Sequence, residues 1–217
     1  MIKGNAVVGQ SGGPTAAINA TLSGVIRGAL ACDAIGTIYG MRNGIEGFLD
    51  ERMIDLGKTF DNEEKLHALE CTPSAALGSC RKKLPDPDKE TKMFEDLFAL
   101  FKKYDIRYFF YIGGNDSMDT VDKLSKYAKK ADWEMRFMGV PKTIDNDLYL
   151  TDHTPGFGSA AKFVATELQE IACDCNVYTV KAVTIVEIMG RDAGWLTAAA
   201  GLPRLNGERT ADLIYLP

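Results

Sequence analysis

The sequence predicts an α/β protein, a three-layer sandwich with a mostly parallel sheet and helices on both faces, and three observations carry that prediction. Short apolar runs alternate along the chain with stretches of helical period. Two of the runs, Asn5–Gly9 and Arg107–Ile112, pass directly into a Gly-Gly loop and then into a helix. The second run, Arg107-Tyr-Phe-Phe-Tyr-Ile112, is almost continuously apolar, as a central strand covered on both faces must be.

Taken in order, strand 5–9 ends at Gln10-Ser-Gly-Gly-Pro-Thr15, and Ala16–Ala31 reads as a helix with Ile18, Leu22, Val25, Ile26 and Leu30 on its apolar face. Pro14 suits a first turn. Gly12 and Gly13 either let backbone N–H groups approach an anion at the helix N-terminus or simply make a tight turn. The loop matches neither G-x-x-x-x-G-K-[ST] nor G-x-G-x-x-G, so neither a P-loop nucleotidase nor a dehydrogenase is indicated. Ile35–Tyr39 is the next strand, and Gly40–Gly47 a glycine-rich loop whose Arg42 and Asn43 are functional or merely solvated. Residues 61–70 are helical; Cys71–Leu84 is a small-residue segment ending in three cations, where Arg81 is either part of a solvated face or a phosphate clamp. After the break at Leu84-Pro-Asp-Pro-Asp88, a helix spans Lys89–Tyr104 with Met93, Leu97, Leu100 and Phe101 inward.

Strand 107–112 ends in Gly113-Gly-Asn-Asp-Ser117, with Ser117 the expected N-cap of a helix over Met118–Lys130 and Asp116 favouring its N-terminus. Phe137–Val140 is a strand. Gly156-x-Gly158-x-x-Ala161 imitates a dinucleotide fingerprint, but no apolar strand precedes it, so it reads as the start of a helix running to Cys175. Val180–Ile188 is expected to be another buried strand, leading to Met189–Gly194 and a helix from Trp195 to Ala200; Asp212–Leu216 is a last apolar run. The loops at 10–15, 113–117, 141–147 and 189–194 should open at one sheet edge, where such proteins bind ligands.

The 217 residues, 46% of them hydrophobic, suffice for one large domain or for one domain and part of a second. No apolar run is long enough to span a membrane and no signal-peptide pattern leads the chain, which predicts a cytoplasmic protein. Five cysteines without paired C-x-x-C spacing predict reduced thiols, mostly in the core. The net charge of −5, with no basic stripe, gives no support to nucleic-acid binding. An anionic ligand must therefore be held by local cations and N–H groups.

The strongest chemical signal is Pro141-Lys-Thr-Ile-Asp-Asn-Asp147, a polar loop after an apolar strand. In an extended segment Asp145 and Asp147 would point to the same side and share one pocket. The alternative is an acidic turn capping the next helix.

Together, Gly12-Gly13, Gly113-Gly-Asn-Asp-Ser117, Thr143-Ile-Asp-Asn-Asp147 and Met189-Gly-Arg-Asp-Ala-Gly194 resemble the phosphofructokinase family over essentially the whole chain. The resemblance implies that Asp145 is the base for the 1-hydroxyl of fructose 6-phosphate and that Thr143, Asp147, Met189, Gly190 and Arg191 bind the sugar. It places Gly12, Arg81, Gly114, Asn115 and Ser117 at the phosphoryl donor. It further implies Mg²⁺, a cytoplasmic homo-oligomer, and a donor domain followed from roughly residue 141 by part of a sugar domain. ATP-dependent members carry glycine where this chain has Asp116 and Lys142. An Asp would collide with an α-phosphate whereas a Lys pairs with bare pyrophosphate, so the pattern resembles the pyrophosphate-dependent branch, with Asp116 and Lys142 in the catalytic group. The alternatives are an ATP-dependent sugar kinase and a non-catalytic phosphate-binding homologue. The metal-binding Asp of the family is Asn115 here, a weaker ligand. Family members also run beyond residue 217, so the chain is expected to be the N-terminal part, inactive or weakly active by itself.

Overall fold

In the computed structural model, which describes residues 2–217, the chain divides into two compact units, one ending at Lys142 and the other spanning Thr143–Pro217. The first contains β1 (Gly4–Gln10), α1 (Ile18–Leu30), β2 (Ile35–Met41), α2 (Gly44–Leu49), β3 (Met53–Asp55), α3 (Leu56–Thr59), α4 (Glu63–Cys71), α5 (Lys92–Lys103), β4 (Ile106–Gly113), α6 (Asn115–Lys130) and β5 (Arg136–Pro141). Its sheet has the order β3-β2-β1-β4-β5, parallel except for the short edge strand β3.

Alternation along β1 sorts the core into two layers. Val7 faces Phe48, Phe94, Phe101 and Leu124 on the side of α2, α5 and α6. Ala6 and Val8 face Ile18, Leu22, Ile26 and Leu66 on the side of α1 and α4. The first layer is aromatic: Phe101 lies 5.1 Å from Phe48, 5.3 Å edge-on from Phe98 and 5.7 Å edge-on from Phe109, ring centre to ring centre. Such geometries add to the area these rings bury.

Several local expectations fail here for identifiable reasons. Phe94 and Phe98, not Met93 and Leu100, are fully inward on α5, because the two rings complete the aromatic layer beside Leu97 and Phe101. Leu30 is 52% exposed at the end of α1. The glycine-rich stretch at 40–47 is only partly loop, since α2 begins at Gly44. Asn115 already opens α6, so Gly114 is the N-cap and Ser117 a buried first-turn residue. Among the described cysteines only Cys80 is buried; Cys32 is half-buried, and Cys71, at the end of α4, Cys173 and Cys175 are exposed.

The second unit contains α7 (Phe157–Cys175), α8 (Trp195–Ala199) and a hairpin of β6 (Arg204–Leu205) and β7 (Glu208–Arg209). Ala161 of α7, the last small residue of the false dinucleotide pattern, packs against Leu196 and Ala199 of α8. The predicted strand at 180–188 is not formed. Its residues take no regular secondary structure, and Val183 and Ile185 are each 89% exposed. A β-rich composition makes a strand only when a neighbour accepts its N–H and C=O groups. Within this unit the sheet is a two-stranded hairpin that does not include the segment. The loop at 189–194 therefore follows no strand, and the apolar run at 212–216 is likewise exposed. Among the described residues no helix is long and apolar enough to cross a membrane.

Phe101→Ala should lower unfolding free energy by about 3–5 kcal/mol, as expected for removing a fully buried ring, whereas Leu30→Ala should change it by less than about 0.5 kcal/mol. Urea titration followed by near-ultraviolet circular dichroism measures both.

Candidate functional site

Parallel pairing aligns three strand ends in the first unit. Gln10 of β1 pairs with Ile112 of β4, and Gly113 of β4 with Pro141 of β5. The ladder continues one residue further: the Ser11 N–H donates to the Ile112 carbonyl at 2.9 Å and the Lys142 N–H to the Gly113 carbonyl at 3.0 Å. The chain thus leaves the sheet at Ser11, Gly114 and Lys142 in a row. Gly12 has φ +77°, a left-handed conformation that favours glycine. Gly113 is required for a different reason, since a Cβ there would lie 2.0 Å from the Ser117 hydroxyl. Its absence lets α6 start against the strand end.

Above Gly12 and Gly13 the surroundings are positive. A Cβ on Gly12 would sit 3.7 Å from the Lys142 ammonium and 3.9 Å from the Gly114 amide nitrogen, and one on Gly13 would sit 4.0 Å from Arg81 Nη2. The Lys142 ammonium is buried and donates to the Gly13 carbonyl. The Thr15 hydroxyl, at the end of the same loop, is buried without a hydrogen-bond partner. Two cations and an amide around a space kept open by glycine make a cradle for a small polyanion.

Asn115 and Asp116 stand exposed at the start of α6, where Asp116 pairs with Lys83 at 3.0 Å. An exposed pair of this kind contributes little and exchanges readily. No group of three or more His, Cys, Asp or Glu among the described residues could cage a metal. The exposed oxygens of Asn115 and Asp116 fit the partial, phosphate-shared coordination that Mg²⁺ prefers.

The second unit carries the acidic loop. Asp145 is buried, 9% of its side chain exposed, with its carboxylate 3.4 Å from Arg191 Nη2. Its amide donates to the Thr143 hydroxyl at 3.0 Å. The expected shared pocket for the two aspartates does not exist. Asn146 takes φ +58°, which turns the backbone out of the extended form, and Asp147 is left exposed. Asn146 itself was not among the expected site residues, yet it organises the loop. Its Oδ1 accepts from the Thr154 N–H at 2.8 Å and its Nδ2 donates to the Asp152 carbonyl at 3.0 Å. The Thr154 hydroxyl closes the same loop by donating to the Thr143 carbonyl at 2.5 Å. An Asn between two Asp residues, tolerant of left-handed backbone, was the available signal.

Gly190 and Arg191 have φ +147° and +50°, a reversal that carries the Arg191 guanidinium to a carboxylate 46 residues away in the chain. Met189 is 72% exposed and borders an apolar groove with Ile144 and Leu196. The structure thus joins Gly12, Arg81, Gly114 and Lys142 in one unit, and Thr143, Asp145 and Arg191 in the other. Asp147 joins neither group.

The first unit is of the α/β class that gathers cations and backbone amides around a glycine loop at the ends of parallel strands. Residues 5–217 match the phosphofructokinase model, and the chain belongs to that family. It is 44% identical over 216 residues to the pyrophosphate--fructose 6-phosphate 1-phosphotransferase of Methylococcus capsulatus, covering 98% of this chain and 51% of that protein. The crystal structure of a pyrophosphate-dependent phosphofructokinase from Nitrosospira multiformis superposes with a TM-score of 0.84 at 44% identity, over 94% of this chain and 51% of that one. An ATP-dependent 6-phosphofructokinase of Actinobacillus pleuropneumoniae is more distant, 32% identical over 88% of this chain and 54% of its own length. The chain spans about half the length of the curated relatives it matches.

Asn146→Gly keeps the left-handed backbone but loses both side-chain hydrogen bonds, and should destabilise the loop by about 1–3 kcal/mol. Asn146→Ala should cost more, because a Cβ disfavours that conformation. Hydrogen exchange at the Thr154 amide reads the difference.

Proposed function

We propose that the chain supplies the donor cradle and the acceptor-activating loop of a pyrophosphate:fructose 6-phosphate 1-phosphotransferase. The observation that carries the reading is the buried Lys142 ammonium over Gly12-Gly13, at a place where a lysine favours bare pyrophosphate. The 44% and 45% identities to pyrophosphate-dependent relatives, against 32% to the ATP-dependent one, support the same donor.

In this reading Lys142, Arg81 and the Gly114 N–H hold the pyrophosphate, with Ser117 fixing the start of α6 close to them. Asp145 accepts the proton of the sugar 1-hydroxyl. That oxygen bonds to the terminal phosphorus, the bridging P–O bond breaks, and inorganic phosphate leaves. Thr143 and Arg191 hold Asp145 in place, and Arg191, Met189 and Gly190 contact the sugar phosphate. Loose phosphoryl transfer demands mainly alignment and neutralised charge, so one well-placed carboxylate is enough acid–base chemistry. Mg²⁺, held by Asn115 and Asp116 together with donor oxygens, would neutralise developing charge on the phosphates. A cytoplasmic homo-oligomer acting in glycolysis belongs to the same proposal.

Calorimetry with pyrophosphate and with ATP tests the donor. Pyrophosphate should bind and ATP should not; a preference for ATP overturns the reading. Lys142→Gly should weaken pyrophosphate binding, and Lys142→Gly with Asp116→Gly should open the cradle to nucleotide. In a turnover assay Asp145→Asn should lower the rate by at least about 10²-fold, the scale for losing a positioned base, while leaving pyrophosphate affinity unchanged.

A further inference from the structure

Arg81 sits at the end of residues 72–81, a segment with no regular secondary structure of its own. Two buried amides hold it. Gln10, the last residue of β1, is fully buried, and Asn19, in the first turn of α1, is 1% exposed. Gln10 Nε2 donates to Asn19 Oδ1 at 3.0 Å, which locks the two side chains together. Gln10 Oε1 accepts from the Leu77 N–H at 2.9 Å, and Asn19 Oδ1 accepts from the Ala76 N–H at 2.8 Å. Asn19 Nδ2 donates to the Thr72 carbonyl at 2.8 Å. Beyond this brace the segment is stitched to the glycine loop: the Gly12 N–H donates to the Cys80 carbonyl at 3.1 Å, the Ser11 hydroxyl to the same carbonyl at 3.3 Å, and the Ser79 hydroxyl to the Gly12 carbonyl.

We infer that Gln10 and Asn19 are positioning residues for the donor cradle, acting through the 72–81 segment to place Arg81 and to hold Gly12 in its left-handed conformation. The Leu77 N–H that Gln10 satisfies would otherwise be buried without a partner, and Asn19 adds two half-buried ties at Thr72 and Ala76, so removing either amide should release the segment locally. The effect on donor binding rests on the phosphotransferase reading; the effect on the segment does not.

Two measurements separate these. By hydrogen exchange, Asn19→Ala should lower protection at Ala76, Leu77 and Gly12 by on the order of tenfold, while β4 amides stay unchanged. Gln10→Met, close in volume, should loosen Leu77 and Gly12 in the same way and serves if Asn19→Ala fails to fold. By pyrophosphate calorimetry, Asn19→Ala should weaken binding by roughly tenfold in the natural chain and hardly at all in an Arg81→Ala background, because a residue acting through Arg81 has nothing left to place. Equal losses in both backgrounds would overturn the link to Arg81. Unchanged exchange at Gly12 and Leu77 would overturn the brace itself. If the unsubstituted chain binds no pyrophosphate, the donor reading fails, and the exchange data alone decide whether the brace exists.

Discussion

Everything at the cation-lined glycine cradle depends on the parallel pairing of β1 with β4. That ladder runs past the formal strand end, through the Ser11 amide to the Ile112 carbonyl, and its neighbour runs through the Lys142 amide to the Gly113 carbonyl. Shifting either ladder by one residue would turn Gly12, Gly114 and Lys142 to different sides. Register here is secured from both faces of β1, by Val7 against the aromatic layer and by Ala6 and Val8 against α1 and α4. Hydrophobic packing and site geometry are thus the same constraint seen at two ends of one strand.

The cradle solves an electrostatic problem for a chain of net charge −5. A uniformly acidic surface would repel any anion. The cations that matter are few and held close: Lys142 is buried and tied to the Gly13 carbonyl, while Arg81 is delivered by a segment fastened at several backbone positions. Other cations, including Lys83, Lys103 and Lys130, are spent in exposed ion pairs with Asp116, Glu51 and Asp88. In the second unit the acidic loop follows a similar economy of parts, with one asparagine satisfying the backbone on both sides of a left-handed turn.

Sequence patterns located the four parallel strands of the first unit and its longer helices, because periodicity and glycine punctuation are local signals, but they missed the short edge strand β3 and the short helices α2 and α3. They failed at Val180–Ile188, where composition says strand but the second unit offers no partner. They failed also at Asp147. The assumption of an extended loop put it beside Asp145, and only the φ of Asn146 decides otherwise. Gln10, Asn19 and Asn146 stayed hidden for one reason: each satisfies backbone groups whose need for a partner exists only once the chain is folded.

What the sequence alone determined is the α/β alternation and the glycine loops at strand ends, since both are written in residue type and spacing. What only the tertiary structure decided is which charges meet. Arg191 reaches Asp145 through two consecutive positive-φ residues, and Lys142 reaches Gly13 across 129 residues of chain through the β1-β4-β5 register. Such contacts follow from strand order and backbone reversal, and neither is encoded at any single position.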